Sequence, residues 1–370
     1  MKTIAILTPN LHQHDGITAN SINLIKAWLE AGFCVQVFNL GRFRVEFEVE
    51  LVGIESLKRY KKSTDNSKKK KIPVKNFHVM VVQYAISTYW LRILFLNKYL
   101  NNKQSFKFHL MCHEPVREIL ILKSLGKYIY KNALAKSSKT FVFSSEAFTC
   151  LNSLSKTGVI KIPLEVPKST RSIGSNARYP NFLLMGYYLK DKGFELGLEA
   201  FINAFVETKV HTTLTIVVSA RQRFGSARIY TRRDRKNLND FRKLVAVFQN
   251  QFSGVIQMND FLTIEELEKT IDKADFLLLP YSKITNSGVA ANAKSQGLPV
   301  ISSNLLPLLE AFGDSGIYVK DGSVKSWSKI IQEIITNPNW RISRDKISET
   351  MYSLLNNASF ENEFRMVVEE

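Results

Sequence analysis

The sequence predicts an α/β protein made of two doubly wound domains, and three observations carry that prediction. The chain has 370 residues, long for one hydrophobic core and comfortable for two of ordinary size. Short apolar, β-rich runs alternate with helical patterns along most of its length, the mark of βαβ units and parallel sheets. That alternation lapses once, between Glu165 and Asn181, where two prolines and several Ser and Thr without periodicity read as an interdomain linker.

Taken in order, Thr3 to Pro9 reads as a first strand, Ile17 to Ala31 as a helix with Ile22, Ile25 and Leu29 on its apolar face, and Cys34 to Leu40 as a second strand. Further strands are expected at Phe77 to Tyr84, Phe108 to His113, Phe141 to Ser145 and Val159 to Pro163. After the linker come strand Phe182 to Gly186, helix Phe194 to Thr208, and strands Leu214 to Ser219 and Val255 to Met258. Thr263-Ile264-Glu265-Glu266 has the form of a capping box opening a helix that runs to Ala274. Phe276 to Pro280 is apolar throughout, as a strand covered on both faces must be. A helix begins near Ser287, strand Leu298 to Ser302 follows, and the remainder reads as largely helical. The expected domains are therefore 1–165, a linker 166–181, 182–350, and a helical tail 351–370 packing back on the first domain. Two such domains would face a central cleft bordered by the carboxyl ends of both sheets, where open α/β sheets bind ligands.

Composition narrows the class. Hydrophobic residues make up 45% and charged residues 23% of the chain, enough apolar surface to offset conformational entropy. No apolar stretch reaches the roughly 18 residues needed to span a bilayer, and Pro9, Asn10, His12, His14 and Asp15 follow the first strand where an export signal would continue. Cys34, Cys112 and Cys150 lack metal-ligand spacing and fit a reducing, cytoplasmic setting. The net charge is +18, and 13 of those charges come from Lys58 to Lys71 and Arg221 to Lys236. Such runs are ordinarily solvated loops, or they attract a polyanion such as an anionic membrane surface or a lipid diphosphate. Nucleic acid is not expected as a partner, because no basic strand interleaved with aromatics is present.

Four segments could carry chemistry. Asn10 to Asp15 leads into a helix at Gly16, where free amides could face an anion; the plainer reading is a turn. His113 ends a strand and would face the cleft, able to hydrogen-bond a sugar hydroxyl or steady developing charge, or else simply bond a nearby carbonyl. Gly186 to Gly193 places Lys190 and Lys192 between a strand and a helix, where a cation could neutralise a leaving diphosphate or merely aid solubility. The most specific is Pro280 to Ile301: a buried strand, a polar loop with Lys283, a helix opened by Ser287 and Gly288 whose amides can grip phosphate, and a sharp return through Gly297 and Pro299.

In this order the segments resemble the large retaining GT-B family of bacterial glycosyltransferases that build lipopolysaccharide, capsule and exopolysaccharide. The likeness covers nearly the whole chain and is strongest from Phe182 to Asn304. Gly186 to Gly193 is similar to the family's Gly-Arg-Leu…Lys-Gly segment, and Ala274-Asp275-Phe276 to Ile301 to its strand, donor loop and helix. By position the resemblance places Gly16 beside the donor diphosphate, His113 as the active-site histidine near the transferred sugar, and Lys192 as one cation of the phosphate pair. Three departures stand out. The family's arginine is Tyr187 here, its two donor-loop glutamates fall on Ile284 and Asn292, and a glycine-containing turn is replaced by Ser219-Ala220-Arg221-Gln222-Arg223. Asn292 retains hydrogen-bonding capacity toward ribose, Lys283 lies beside the lost acid, and Arg221 or Arg223 could supply the missing cation.

The resemblance implies transfer of a hexosyl group from a nucleotide diphosphate sugar to a hydroxyl of a glycan, expected to be lipid-linked, with retention and without a metal or other cofactor. The enzyme would be cytoplasmic and peripheral on the inner face of the membrane, held there through Lys58–Lys71. Two rivals stand beside this reading. A sugar-nucleotide epimerase would need carboxylates that the donor loop lacks. A degenerate partner subunit would bind a glycan or nucleotide without turnover.

Overall fold

The computed structural model describes residues 2–8, 16–40, 47–52, 77–84, 107–113, 123–155, 158–162, 164, 177–219, 228–259 and 264–355. The chain divides into two compact units. The first comprises Met1–Pro167 and Thr285–Gly288, and the second Lys168–Ile284 and Val289–Asn356.

Among the described residues the first unit is built on β1 (Thr3–Thr8), β2 (Cys34–Leu40), β3 (Phe47–Val52), β4 (Val79–Tyr84), β5 (Lys107–Cys112), β6 (Lys139–Val142) and β7 (Val159–Lys161). Their order is β3-β2-β1-β4-β5-β6-β7, and every neighbouring pair is parallel except β2 with β3. All six residues of β1 and of β4 are buried, as a parallel strand sandwiched between helix layers requires. Successive side chains alternate faces. Ile4, Ile6, Val79 and Val81 therefore meet Leu24, Ile25 and Trp28 of α1 (Gly16–Glu30) on one side. Ala5, Leu7, Met80 and Val82 meet Ile129, Tyr130 and Leu134 of α2 (Lys123–Leu134) on the other, and α3 (Ser145–Asn152) completes that layer with Ala147 and Leu151.

The second unit repeats the plan with β8 (Asn181–Tyr187), β9 (Thr213–Ser219), β10 (Ile256–Asn259), β11 (Phe276–Leu279), β12 (Val300–Ser303) and β13 (Ile317–Val319), ordered β10-β9-β8-β11-β12-β13 and parallel throughout. One face is covered by α4 (Phe194–Thr208), α5 (Arg228–Gln251) and α9 (Val324–Thr336), which bring Phe201, Phe241 and Trp327 into one cluster. The other is covered by α7 (Gly288–Ser295), α8 (Leu306–Phe312) and α10 (Trp340–Leu354), which bring Ala290, Phe312 and Met351 into another. Helix α6 (Ile264–Asp272) adds Ile271 to this second cluster. At the amino end of β11 the fully buried Asp275 accepts the main-chain N–H of Asn181 at 2.9 Å and lies 2.5 Å from Arg344 Nη1, tying α10 to the sheet by a buried ion pair.

Both sheets are doubly wound, and the strand order reverses between β1 and β4 and between β8 and β11. Ligands of such sheets bind outside the carboxyl ends of the strands at these reversal points. Three elements differ from expectation. β3 and β13, short edge strands, were not anticipated. The basic run from Arg221 is no solvated loop from Arg228 onward, because Arg228–Gln251 is a helix of 24 residues whose Leu238, Phe241 and Val245 are buried. The capping box at Thr263, the segment Lys58–Lys71, most of the expected linker and the tail beyond 355 lie outside the described residues.

Candidate functional site

In the first unit the strand ends at the reversal point carry two buried hydrogen-bonded groups, Thr8 with Ser21 and Asn20 with Gln83 and His113. Helix α1 presents Ile17, Asn20, Ser21, Leu24, Ile25 and Trp28 to the core, the spacing of one helical face, and all six are buried. Two of those six are polar. Ser21 Oγ donates to the Ile17 carbonyl at 2.8 Å and accepts from Thr8 Oγ1, 3.0 Å away at the end of β1. Gln83, one residue before the end of β4, is fully buried, and its Nε2 donates to Asn20 Oδ1 at 3.2 Å and faces Met111 Sδ at 3.6 Å. Its Oε1 meets Nε2 of His113. Every buried polar group named here has a partner, the condition under which burial of such groups is tolerated.

His113 follows β5 directly and extends its ladder, its N–H donating to the Tyr84 carbonyl at 3.0 Å. It is 4% exposed, and its ring lies 4.9 Å from that of Phe143. Asn286, which groups with the first unit, donates through Nδ2 to the His113 carbonyl at 2.8 Å. Gly16 is the first residue of α1. The sequence singles out His113 and Gly16 as candidates but not Gln83 or Asn20. The signals were there: a glutamine inside the apolar strand Val79-Met80-Val81-Val82-Gln83-Tyr84, and Asn20-Ser21 on the helical stripe between Ile17 and Leu24.

In the second unit the matching reversal point carries Gly186, Lys192 and Tyr281, with Val289 of α7 beside Gly186. Gly186 has φ 137°, and a Cβ there would lie 3.7 Å from Val289 Cγ2 in the first turn of α7. Gly193 has φ 63°, and a Cβ there would fall 1.9 Å from the Pro280 carbonyl oxygen. Only glycine permits both that backbone conformation and that approach. The approach locks the turn Lys190–Lys192 against the end of β11, and Ser282 N–H donates to the Asp191 carbonyl at 3.0 Å. Lys192 Nζ consequently sits 3.7 Å from the centroid of the buried Tyr281 ring, within cation–π range.

The other expected residues divide. Ser287 and Gly288 stand at the N-terminus of α7, and Asn292 is half-buried on that helix. Lys283 is exposed. Ile284 is packed in the core with Met185, Tyr281 and Ala290, so the position where the resembling family carries an acid is here an apolar core position. Tyr187 pairs with Ser219 at the end of β8. Its neighbour Tyr188 is the core tyrosine, bonded to Glu195, and burial holds its phenol above the ordinary range. Arg221 and Arg223 lie outside the described residues. Among the described residues no three His, Cys, Asp or Glu side chains gather as a metal site, and no helix is long and apolar enough to cross a membrane.

No protein-family model matches the chain, and no curated protein matches it by sequence. Solved structures do match by shape. A sucrose-phosphate synthase from Thermosynechococcus elongatus aligns with 99% of this chain and 98% of its own, at 16% identity and a TM-score of 0.68. A trehalose-6-phosphate structure from E. coli bound with UDP-2-fluoro glucose aligns with 100% and 99%, at 10% identity and a TM-score of 0.65. The pneumococcal O-GlcNAc transferase GtfA in complex with UDP and GlcNAc aligns with 79% of this chain and 57% of its own, at 14% identity and a TM-score of 0.56. The fold of the chain is thus the GT-B fold, two Rossmann-like doubly wound domains.

Proposed function

We propose that the chain transfers a glycosyl group from a nucleotide diphosphate sugar to a hydroxyl of a glycan acceptor. Structures of the same fold were solved with a UDP sugar or with UDP, which supports the donor class. The observation that carries the reading is the position of Lys192 over the Tyr281 ring, at the reversal point of the second sheet. A departing diphosphate gains negative charge as the glycosidic bond breaks, and a fixed ammonium together with helix N-terminal amides stabilises that state more than the intact donor. In this reading the second unit binds the donor, Ser287 and Gly288 contribute amides, and Asn292 addresses the ribose. Lys283 reaches the donor from solvent, and Arg221 or Arg223 replaces the cation lost at Tyr187.

The first unit binds the acceptor, with Gly16 near the diphosphate and His113 against the transferred sugar. Retention follows if the leaving phosphate and the incoming hydroxyl share one face of the sugar. Cations on the protein then take the part a metal would otherwise play. A lipid-linked surface-glycan acceptor, a cytoplasmic setting and contact with the inner face of the membrane through Lys58–Lys71 complete the proposal. Each basic residue near an anionic surface contributes about 1 kcal/mol at most, so salt should release the protein from anionic liposomes and Ser substitution of Lys68 to Lys71 should weaken co-sedimentation.

A thermal-shift panel of nucleotide diphosphate sugars tests the donor assignment. A ligand at a hundred times its Kd stabilises by about 2.7 kcal/mol, so one or more members should raise the Tm by several degrees, and Lys192→Ala should reduce that shift. A panel without effect at millimolar concentration contradicts the assignment.

A further inference from the structure

We infer that Gln83 is a positioning residue that holds His113 as the Nε2–H tautomer, so that Nδ1 is the ring's hydrogen-bond acceptor; the inference builds on the proposed function and sharpens the role of His113 in it. The argument starts from the polarity of the buried chain. An amide side chain has one end that only accepts and one that only donates, so fixing one contact fixes the other. The Gln83 amide nitrogen faces two groups, Asn20 Oδ1 at 3.2 Å and Met111 Sδ at 3.6 Å. A thioether sulfur accepts and cannot donate, so the sulfur assigns the nitrogen end of Gln83 independently of how Asn20 is oriented. The oxygen end of Gln83 then points at His113 Nε2. An oxygen can only accept there, so Nε2 carries a proton and the neutral ring has its lone pair at Nδ1.

Burial makes this assignment consequential. Gln83 is fully buried, Asn20 is 5% and His113 4% exposed, so water cannot readily replace a broken link, and each unpaired group would bear its desolvation cost. The His113 main chain is held as well, by its N–H to Tyr84 and by Asn286 on its carbonyl. The ring is therefore fixed in both plane and tautomer before any ligand arrives. For the proposed reaction the consequence is directional: His113 accepts a hydrogen bond from a sugar hydroxyl at Nδ1 instead of donating one from that atom. A substrate lacking that hydroxyl hydrogen, an O-methyl or fluoro analogue at the same carbon, loses the bond.

The test uses the full chain labelled with ¹⁵N-histidine and long-range ¹H–¹⁵N spectra, which separate the two tautomers, with the His113 signal assigned by its loss in His113→Ala. The wild type should show the Nε2–H form. Gln83→Leu, of similar size, should shift the ring to the other tautomer or to a mixture. Gln83→Glu restores an acceptor facing Nε2 and should return that proton. Should Gln83→Leu fail to fold, Asn20→Ala, which removes the far anchor of the amide, is read in the same way. A wild-type ring in the Nδ1–H form, or a ring indifferent to both Gln83→Leu and Asn20→Ala, overturns the inference. Donor turnover gives the second readout: Gln83→Leu should lower kcat roughly tenfold to a hundredfold, within the range of positioned proton-transfer groups, while nucleotide diphosphate affinity changes less than twofold. Unchanged kcat in a Gln83→Leu protein whose tautomer has shifted also overturns it. Because the spectra need no turnover, a wild type inert toward every sugar nucleotide would count against the proposed function and leave the tautomer assignment standing.

Discussion

The two units bury polar groups in opposite ways. The first buries polar side chains in two hydrogen-bonded groups, Thr8 with Ser21 and Asn20 with Gln83 and His113, at the carboxyl ends of its strands. The second buries a charge pair, Asp275 with Arg344, at the amino end of β11, while its candidate cation Lys192 stays half-buried at the carboxyl end. In one sheet plan the amino edge is free to serve stability and the carboxyl edge is committed to ligands. A buried ion pair ties α10 to the sheet but does not call for chemistry. The hydrogen-bonded group that ends on His113 at a reversal point is where the proposed function puts its chemistry.

The largest effect expected from that contrast is on folding. Arg344→Ala leaves Asp275 buried without its ion-pair partner, and removing one partner of such a pair costs about 3–5 kcal/mol. Chemical denaturation should show that loss, and the double replacement Asp275→Leu with Arg344→Met should recover most of it. If the single and double variants were equally unstable, the pair would be more than a structural tie. Next comes Gly193→Ala. A left-handed residue with a side chain costs about 1–3 kcal/mol, and the Pro280 carbonyl must also move, so both stability and nucleotide affinity should fall. A variant that loses stability but binds nucleotide normally would separate the Lys190–Lys192 turn from the donor site.

Much of this was legible beforehand. The strands β1, β2 and β11 and helix α4 announced themselves because parallel strands covered on both faces are continuously apolar and a core-facing helix is periodic. β3 pairs antiparallel at an edge and β13 is three residues long at another, so neither carries that signal. The first turns of α5 were hidden by charge, since Arg228, Arg232, Arg233, Arg235 and Lys236 precede its buried Leu238, Phe241 and Val245. At the candidate site, His113 was visible as a residue at a strand end and Lys192 as one in the turn between β8 and α4. Gln83 and Asn20 were not sought, because a polar residue inside an apolar pattern reads as noise until its partner, 63 positions away, is brought beside it. Ile284 is the converse: the family resemblance expects an acid there, and the packing of Ile284 with Met185 and Tyr281 shows an apolar core position instead.

A smaller effect sharpens the second half of the contrast. Tyr281→Leu keeps the core filled but removes the ring under Lys192, and a cation–π contact is worth about 0.5–2 kcal/mol. Titration of a nucleotide diphosphate should show weakening of about two- to thirtyfold, with Lys192→Ala at least as severe. Equal affinity in both variants and the wild type would remove the pair from donor binding.

The central claim is that Asn20 and Gln83 serve catalysis through His113 while the second unit holds the donor. It is tested most directly by following release of nucleoside diphosphate from a stabilising sugar nucleotide, with acceptor present, in the wild type and in His113→Ala, alongside nucleotide affinity for each. The account predicts a fall in turnover of about a hundredfold or more, the scale of a positioned catalytic group, with affinity within a few-fold of the wild type. Equal turnover in the two proteins, or a loss of turnover matched by an equal loss of nucleotide affinity, would contradict it.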